Sequence, residues 1–367
     1  MQIKDIVHVL ESFAAPVYQE SYDNCGLLTG NPEWECTGVL CTLDTLEATV
    51  EEAKHKGCNL IVSHHPLIFS GLKKLNGNNY VERTVIAALK NDIAIYAIHT
   101  NLDNVVKGVS KKMADVLGLE NTKVLSEKYG ALRQFSTYAP VKFAEEVKKV
   151  LFQNGAGNIG NYSECSFSHD GTGSFKPNEQ ADPRIGEAGG KREAVHETKI
   201  ECLLPEHVNI QKLLEDLKNI GYYEEVAHNI TPLLNRSQDT GAGMVGELRQ
   251  EMSEEDFLAY VKQKFNLQVI RHTKLRGRPV KTVALCGGSG AFLISQAKKL
   301  QADFYITADV KYHEFFDADN KIVIADIGHY ESEQYTIELL FDILRSNFST
   351  FAILKTEIST NSIHYYS

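Results

Sequence analysis

Basic residues, long apolar runs and paired cysteines are all scarce in this 367-residue sequence, and each scarcity excludes a class of protein. Lys and Arg number 38 against 48 Asp and Glu, which gives a formal net charge of −10. Nucleic-acid phosphates are bound by clustered cations, so this balance disfavours nucleic acid as a partner. No apolar run approaches the roughly 20 residues of a membrane-spanning helix, so we expect no membrane association. The first five residues include an acid and open no long apolar stretch, so we also expect no secretory signal.

The seven cysteines are odd in number, and none of them belongs to a Cys-x-x-Cys pair. Several, such as Cys41 and Cys286, stand within apolar runs, where a free thiol packs as a small hydrophobic group. This usage is typical of a reducing compartment and not of a secreted domain held by disulfides. We therefore predict a cytoplasmic protein.

Short apolar runs alternate with helical patterns in both outer thirds of the chain. The predicted strands are 39–43, 60–63 and 93–98 in the first third, and 282–286, 303–306 and 321–325 in the last. Such alternation is typical of a parallel sheet in an α/β protein. Cys41 precedes His64 by the same number of residues as Cys286 precedes Asp309. The predicted fold class is therefore α/β, with two similar halves related by internal duplication.

The middle segment has a different order of elements. Its predicted strands are 133–138, 162–167, 195–204 and 225–230. A predicted amphipathic helix lies between the first and second strands, and another lies between the third and fourth. Two βαβ units in succession are typical of a ferredoxin-like α+β domain. A Gly-rich loop at 170–190 lacks the Gly-Lys-Ser/Thr ending of a phosphate-binding P-loop. We predict two halves of one core with a ferredoxin-like insert between them, at 1–128, 129–235 and 236–367.

Residues that suit metal ions follow the ends of the predicted strands. They are His64, His65, His99, Asp103, Asp309, His313, His329 and Glu333. Groups just past the carboxyl ends of parallel strands line the binding crevice of an α/β sheet. Taken singly, each has a structural explanation, such as an exposed turn, a helix cap or a carboxylate at a helix N-terminus. Taken together, these strand ends can supply three imidazoles and two carboxylates, a set that suits two cations that share carboxylates and activate water for hydrolysis.

The types of ligand narrow the choice of metal. Nitrogen and oxygen ligands without thiolate suit zinc, iron, manganese or nickel, and they argue against calcium or magnesium cages. Among the cysteines only Cys286 stands near such a strand end, and its apolar neighbours indicate packing. We expect two divalent ions per subunit, with zinc the first choice.

Five motifs surround these residues. They are Tyr22-Asp23-Asn24-x-Gly26-Leu27, Ser63-His64-His65-Pro66, His99-Thr100-Asn101-Leu102-Asp103, Cys286-Gly287-Gly288-Ser289-Gly290 and Gly328-His329-x-x-Ser332-Glu333. In these motifs the chain resembles the NIF-three-like family of dinuclear-metal proteins, the GTP cyclohydrolase 1 type 2 homologs. The resemblance implies that the metal ligands are His64, His65, Asp103, His329 and Glu333, with Asp103 and Glu333 as bridges. It also implies two intertwined α/β/α units, a ring-shaped homohexamer and a PII/CutA-like insert.

Two functions are compatible with this resemblance. The first is a metal-dependent hydrolase of a nucleotide-like or phosphorylated small molecule, similar to a GTP cyclohydrolase. The alternative is a non-enzymatic, metal-dependent regulator that senses a ligand. Around the metal ligands, His99, Asp309 and His313 either orient ligands or substrate or serve as structural hydrogen-bonding groups. Asn24 and Ser289 are expected to line the cleft.

Overall fold

The computed structural model describes residues 1–366, which form two compact units. The first unit consists of Met1–Glu127 and the chain from Asp239 onwards, and the second of Lys128–Gln238. Both combine helices with β-sheet, so the α/β class predicted from the sequence is confirmed. Within residues 1–366, no helix combines the length and the apolar character that crossing a bilayer requires.

The strands and helices are numbered along the chain. The strands are β1 (Gly26–Thr29), β2 (Val39–Thr42), β3 (Leu60–Ser63), β4 (Ala94–Ala97), β5 (Glu120–Tyr129), β6 (Leu132–Pro140), β7 (Phe167–Phe175), β8 (Glu193–Pro205), β9 (His228–Pro232), β10 (Arg236–Met252), β11 (Arg271–His272), β12 (Val280–Ser289), β13 (Phe304–Ala308), β14 (Val323–Asp326) and β15 (Ile353–Lys355). The α-helices are α1 (Ile3–Phe13), α2 (Glu47–His55), α3 (Tyr80–Lys90), α4 (Thr100–Asp103), α5 (Val109–Val116), α6 (Ala144–Gln153), α7 (Ile210–Asn219), α8 (Glu254–Lys264), α9 (Ile294–Lys299), α10 (His329–Glu333) and α11 (Thr336–Asn347). Short 3-10 helices occupy Pro16–Tyr18, Val141–Phe143, Ala291–Leu293 and Tyr312–Ala318.

The first sheet has the strand order β1-β4-β3-β2-β15. β2, β3 and β4 are parallel neighbours, and every residue in them is buried. Val62 and Tyr96 pack on the side of α1 and α11, whereas Ile61 and Ile95 pack on the side of α2 and α3. Burial on both faces explains why these strands are continuous apolar runs in the sequence. β15 pairs in parallel with β2 and ties the last part of the chain to this sheet.

The second sheet has the strand order β11-β14-β13-β12-β10-β5. β12, β13 and β14 are parallel neighbours, while β10 and β11 pair antiparallel with β12 and β14. Met113 of α5 and Phe257 of α8 pack on one face, and Ile294 of α9 packs on the other. Each of the two sheets therefore has three consecutive parallel strands between layers of helix, and in the first sheet β15 adds a fourth. An origin by internal duplication stays a prediction.

The second unit contains an antiparallel sheet with the strand order β7-β8-β6-β9. α6 and α7 cover it, and Val147, Leu151, Leu213 and Leu217 share one apolar core with the inner side chains of the strands. The elements follow one another as β6-α6-β7 and then β8-α7-β9.

One strand of the second unit lies outside its predicted position. The prediction of a strand at 162–167 is wrong, because β7 begins at Phe167 and runs through the start of the expected Gly-rich loop. β7 is mostly exposed and is held by continuous backbone pairing with β8, for example Gly171 with Glu197 and Gly173 with Val195. An edge strand of this kind has no apolar alternation, so the sequence pattern could not reveal it.

Candidate metal centre

The structure brings all five predicted ligands to one place in the first unit. His64 and His65 directly follow β3, and Asp103 is the last residue of α4, the short helix after β4. His329 and Glu333 are the first and last residues of α10, which follows β14. A cavity of about 670 Å³ opens at these strand ends and is lined by His65, Asp103, His329 and Glu333, whereas His64 is fully buried.

The atoms of the five predicted ligands form two groups that share Glu333, and a third group joins His64, His65 and His99. Glu333 Oε2 lies 2.9 Å from His65 Nε2 and 3.2 Å from His329 Nε2. Glu333 Oε1 lies 3.8 Å from His64 Nε2, which is 3.7 Å from Asp103 Oδ1. The Nε2 atoms of His65 and His329 are 3.4 Å apart within the first of these groups, and the two groups meet at Glu333. Within each group the possible ligand atoms lie within 4.8 Å of one another, a spacing that an ion could span.

Three atoms at the middle of this cluster are buried and make no hydrogen bond. They are His64 Nε2, Asp103 Oδ1 and Glu333 Oε2. Glu333 Oε2 is within ion-pair distance of His65 but without the geometry of a hydrogen bond. Buried polar atoms normally have partners, because leaving one unpaired costs about 1–3 kcal/mol. Atoms that suit a cation and converge without other partners fit a bound metal.

The other ring nitrogen of each histidine is held by an oxygen outside the cluster. His64 Nδ1 lies 2.9 Å from the carbonyl of Ile98. His65 Nδ1 lies 2.7 Å from Asp44 Oδ1, and His329 Nδ1 lies 2.7 Å from an oxygen of Asp309. Such contacts fix the orientation and tautomer of a metal-binding imidazole and direct its Nε2 to the ion. All three Nε2 atoms are therefore directed to the same centre.

The electrostatics of the cluster favour positive charge at its centre. Burial alone would lower the pKa of His65, but two neighbouring carboxylates raise it to about 10. Burial would likewise lower the pKa of His329, but the nearby carboxylates, Glu333 foremost, raise it to about 9. Burial and the charge of Glu333 raise the pKa of the Asp103 carboxyl, whereas the surrounding imidazoles lower that of Glu333 in spite of its burial. The charges arranged here favour exchange of protons for metal ions.

Two glycines at the end of β12 make room for the Glu333 carboxylate. Gly288 has a φ of +60°, and a Cβ at this position would lie 2.3 Å from Glu333 Oε1. Its N–H donates to Ser332 Oγ at 3.0 Å, and Ser332 precedes Glu333 on α10. A Cβ on the neighbouring Gly287 would lie 3.3 Å from Glu333 Cγ. This part of the glycine motif therefore serves close approach of the backbone to Glu333.

Comparison with known proteins decides the family. The sequence model described as Duf34/NIF3 (NGG1p interacting factor 3) matches residues 1–362. This chain belongs to the DUF34/NIF3 family. A Bacillus subtilis (strain 168) relative named GTP cyclohydrolase 1 type 2 homolog is 38% identical over 329 residues, covering 89% of this chain and 88% of the relative. A Staphylococcus epidermidis (strain RP62A) relative of the same name is 34% identical and covers 100% of both chains.

Solved structures confirm the family and its mixed α/β fold. A Bacillus cereus protein related to NIF3 matches with a TM-score of 0.87 at 34% identity, covering 100% of this chain and 99% of that one. Staphylococcus aureus protein SA1388 matches with a TM-score of 0.76 at 30% identity, with the same coverage. The resemblance inferred from the five motifs is thereby confirmed.

The other residues that the sequence singled out in this DUF34/NIF3 chain differ in whether they line the cavity. His99 lines the cavity beside His64 and His65, and Ser289 lines it as well. His313 lies in a 3-10 helix, where its exposed ring contacts Tyr312 and Phe316, and it is absent from the cavity lining. Asn24 is also outside that lining, since its side-chain amide donates to the carbonyl of Ile68 at 2.6 Å.

Sequence reasoning missed the two aspartates that hold histidines of this site. Asp44 holds His65, and Asp23 holds His99, whose Nδ1 lies 2.8 Å from Asp23 Oδ1. Asp23 also accepts hydrogen bonds from the backbone and hydroxyl of Thr100, and these contacts lower its pKa against the opposing effect of burial. Asp44 follows β2 in the same sheet as β3, so the strand-end argument applied to the histidines would have found it.

Proposed function

We propose that this protein holds two divalent metal ions and uses them to hydrolyse a small nucleotide-like or phosphorylated molecule. The observation that carries the proposal is the convergence of His64 Nε2, Asp103 Oδ1 and Glu333 Oε2 without hydrogen-bond partners. One ion would be held by His65, His329 and Glu333, and the other by His64, Asp103 and Glu333. Glu333 belongs to both groups and Asp103 to one of them, and from the family resemblance we propose that both carboxylates would bridge the ions. The donor set suits zinc first, and also iron, manganese or nickel.

The residues around the ions have defined tasks in this proposal. When bound, a pair of divalent ions supplies Lewis acidity and activates water for hydrolysis. Asp23 engages Nδ1 of His99, so Nε2 is the nitrogen that His99 offers for a proton from water or substrate at the cavity wall.

The cavity wall supports a substrate with a planar ring. Tyr22, Phe69 and Phe292 line it and are 64%, 50% and 68% exposed. The rings of Tyr22 and Phe69 have centroids 6.4 Å apart, and a purine could stack on such surfaces. The acidic lining residues are Glu20, Asp103 and Glu333, and no Lys or Arg of residues 1–366 is in the lining. A phosphate would therefore have to bind the ions, which favours substrates with few phosphates over a triphosphate.

The name of the curated relatives supplies one definite candidate reaction. A GTP cyclohydrolase opens the purine ring of GTP by hydrolysis, and the aromatic wall would accept that ring. The electrostatics of the lining favour guanosine and its monophosphate over GTP as substrates of this chain.

Metal analysis followed by activity screening tests the proposal on a single sample. The protein is purified without chelators, its metal content is measured, and the same sample is offered guanine nucleotides, nucleosides and small phosphate esters. We expect about two equivalents of metal per chain and turnover only while they are bound. His64→Ala should lose metal and turnover together, because His64 is buried within one ligand group.

His313→Ala is the matched control, since His313 is an exposed histidine outside the cavity lining. It should keep both the metal content and the activity of the parent protein. Turnover that survives in metal-free His64→Ala would refute the hydrolase proposal. A parent protein that binds no divalent metal would refute the site itself.

A second candidate is a metal-dependent regulator that senses a ligand and catalyses nothing. Its support is a separate cavity within the second unit, about 430 Å³ in volume. For a regulator, metal-loaded protein would bind ligands of the screen without converting any of them. We further propose, from the family resemblance, a cytoplasmic homohexamer, which a solution mass six times that of the chain would support.

A further inference from the structure

The second unit contains a cavity that the metal centre does not explain. It has a volume of about 430 Å³ and lies beside β6, β7 and β8, the loop after β7, and the segment after α7. Its wall includes three aromatic rings, those of Tyr138, Phe175 and Tyr223, and the carboxylate of Glu197. Every lining residue falls within Lys128–Gln238. A site here would thus be built by one unit of the fold.

A buried carboxylate forms the polar part of this cavity. Glu197 on β8 is only 9% exposed, and the Tyr223 hydroxyl donates to its Oε1 at 2.5 Å. Burial and this contact raise the pKa of Tyr223, so the hydroxyl stays a donor at neutral pH. Within residues 1–366, Oε2 of Glu197 has no hydrogen-bond donor, and no Lys, Arg or His nitrogen lies within 4.0 Å of the carboxylate. A carboxylate that is this little exposed, faces a cavity and has no cation beside it favours a positively charged occupant.

The strand beside Glu197 is adapted to the position of the carboxylate. Gly173 on β7 lies so close that a Cβ there would be 1.6 Å from Glu197 Oε2. Any other residue at 173 would displace the carboxylate from the cavity wall. The loop is also tied to the site, because the Asp182 N–H donates to an oxygen of Glu224 at 2.8 Å. Glycine at 173 and this loop contact keep the cavity open around a charged group.

Aromatic rings and further charges define what the cavity would accept. The rings of Phe175 and Tyr223 meet edge to face with centroids 6.0 Å apart. Ring faces attract ammonium and guanidinium groups, and they also pack against apolar groups. Of the charged lining residues, Glu197, Glu224 and Glu225 are acidic, and Arg184 is the one base. Arg184 lies 3.4 Å from Asp182, so its charge is partly balanced.

We infer that this cavity binds a small organic monocation, a primary amine or guanidine that carries an apolar body. The cationic group would pair with Glu197, and the apolar body would lie against Phe175, Tyr138 and Tyr223. The same chemistry is present in a Lys or Arg side chain of a second copy of this protein. That alternative occupant is distinguished by the experiment below.

Calorimetric titration of the full chain with phenethylamine tests the inference. Its neutral counterpart 2-phenylethanol has the same ring and a hydroxyl in place of the ammonium. We expect the amine to bind at least tenfold more tightly than the alcohol, at one site per chain. Chelator-treated protein should bind the amine equally well, so this test succeeds or fails independently of the metal proposal.

Two variants with the same change in charge locate the site. Glu197→Gln removes the buried carboxylate and should weaken amine binding at least tenfold. Glu225→Gln changes the rim, where the side chain is 87% exposed, and should weaken it less than threefold. Phe175→Leu keeps apolar volume but removes a ring face against which the apolar body would lie, so it should weaken binding of the amine and of the alcohol alike, by about two- to fivefold. If Glu197→Gln does not fold, Phe175→Leu still tests whether the ligand binds in this cavity.

Several results would overturn the inference. The parent protein and Glu197→Gln could bind the amine equally, the alcohol could bind as tightly as the amine, or Phe175→Leu could bind like the parent. Absence of amine binding to the parent would also overturn it. If self-association is then found and Glu197→Gln abolishes it, the occupant is a basic side chain of a second copy.

Discussion

Gly288→Ala is the sharpest single test of the metal centre. A Cβ at Gly288 would lie 2.3 Å from Glu333 Oε1 and 3.3 Å from His329 Cε1. Carbon and oxygen atoms in contact are separated by about 3.4 Å or more, so the carboxylate would have to move by roughly 1 Å. Glu333 is 3% exposed and shared by two ligand groups, so no equivalent position is open to it.

The size of the effect follows from two separate costs. A non-glycine residue in the left-handed region costs about 1–2 kcal/mol of stability. Displacing Glu333 costs metal affinity in addition, because ligand distances tolerate about 0.2 Å. Disturbing only the partners of metal ligands typically lowers affinity about 10- to 100-fold, so moving Glu333 itself should cost at least as much.

Gly118→Ala separates these two costs. Gly118 follows α5 with a φ of +65°, close to that of Gly288, but the nearest atom to a new Cβ is Tyr260 Oη at 3.9 Å. Both variants should therefore lose similar stability from backbone strain in thermal unfolding. Only Gly288→Ala should lose metal affinity in competition with a chromophoric chelator. If its affinity stays within threefold of that of Gly118→Ala, then Glu333 is not a metal ligand.

Three further predictions concern stability. Arg276→Met should cost about 3–5 kcal/mol in denaturant unfolding, because it leaves the nearly inaccessible Glu254 without its cation; a loss under 1 kcal/mol would contradict this. Burial alone would raise the pKa of Glu52, but hydrogen bonds from Lys56, Thr356 and a backbone N–H lower it, so its contribution is complete above pH 4.5 and is lost as the pH falls further. The melting temperatures of Glu52→Gln and the parent protein should therefore converge in acid, and a constant difference from pH 7 to pH 3 would refute this assignment. Chelation of metal held at 100 times its Kd should lower the free energy of unfolding by about 2.7 kcal/mol, and an unchanged melting temperature would exclude metal binding to the folded state.

The centre of each sheet in the first unit could be predicted because it is buried on both faces. β3 and β4 consist of buried residues, so they appear in the sequence as apolar runs that end in polar residues. Parallel neighbours end at the same edge of a sheet, and this rule predicted that His64 and Asp103 would meet. A different rule applies to His329 and Glu333, because residues four apart lie on one face of a helix such as α10.

Features that depend on contacts distant in sequence could not be predicted in this way. Asp44 stands at a strand end and so could have been named as a candidate, but only the folded chain shows that it contacts His65. Asp23 reaches His99 and Thr100 from the segment before β1, and no periodic pattern encodes that approach. His313 has the residue type and strand-end position of a ligand, but the 3-10 helix turns its ring toward Tyr312. Residue type and strand-end position do not fix the direction of a side chain.

Glu333 shows why the centre needs both sheets of the first unit. The segment after β3 provides His64 and His65, whereas α10 after β14 provides His329 and Glu333. A carboxylate that is 3% exposed requires compensating positive charge, and in this cluster the nearest sources are imidazoles from both sheets. An ion held at either ligand group would contact residues of the two sheets at once. Binding of metal and packing of the two sheets should therefore stabilise each other, because the same side chains serve both.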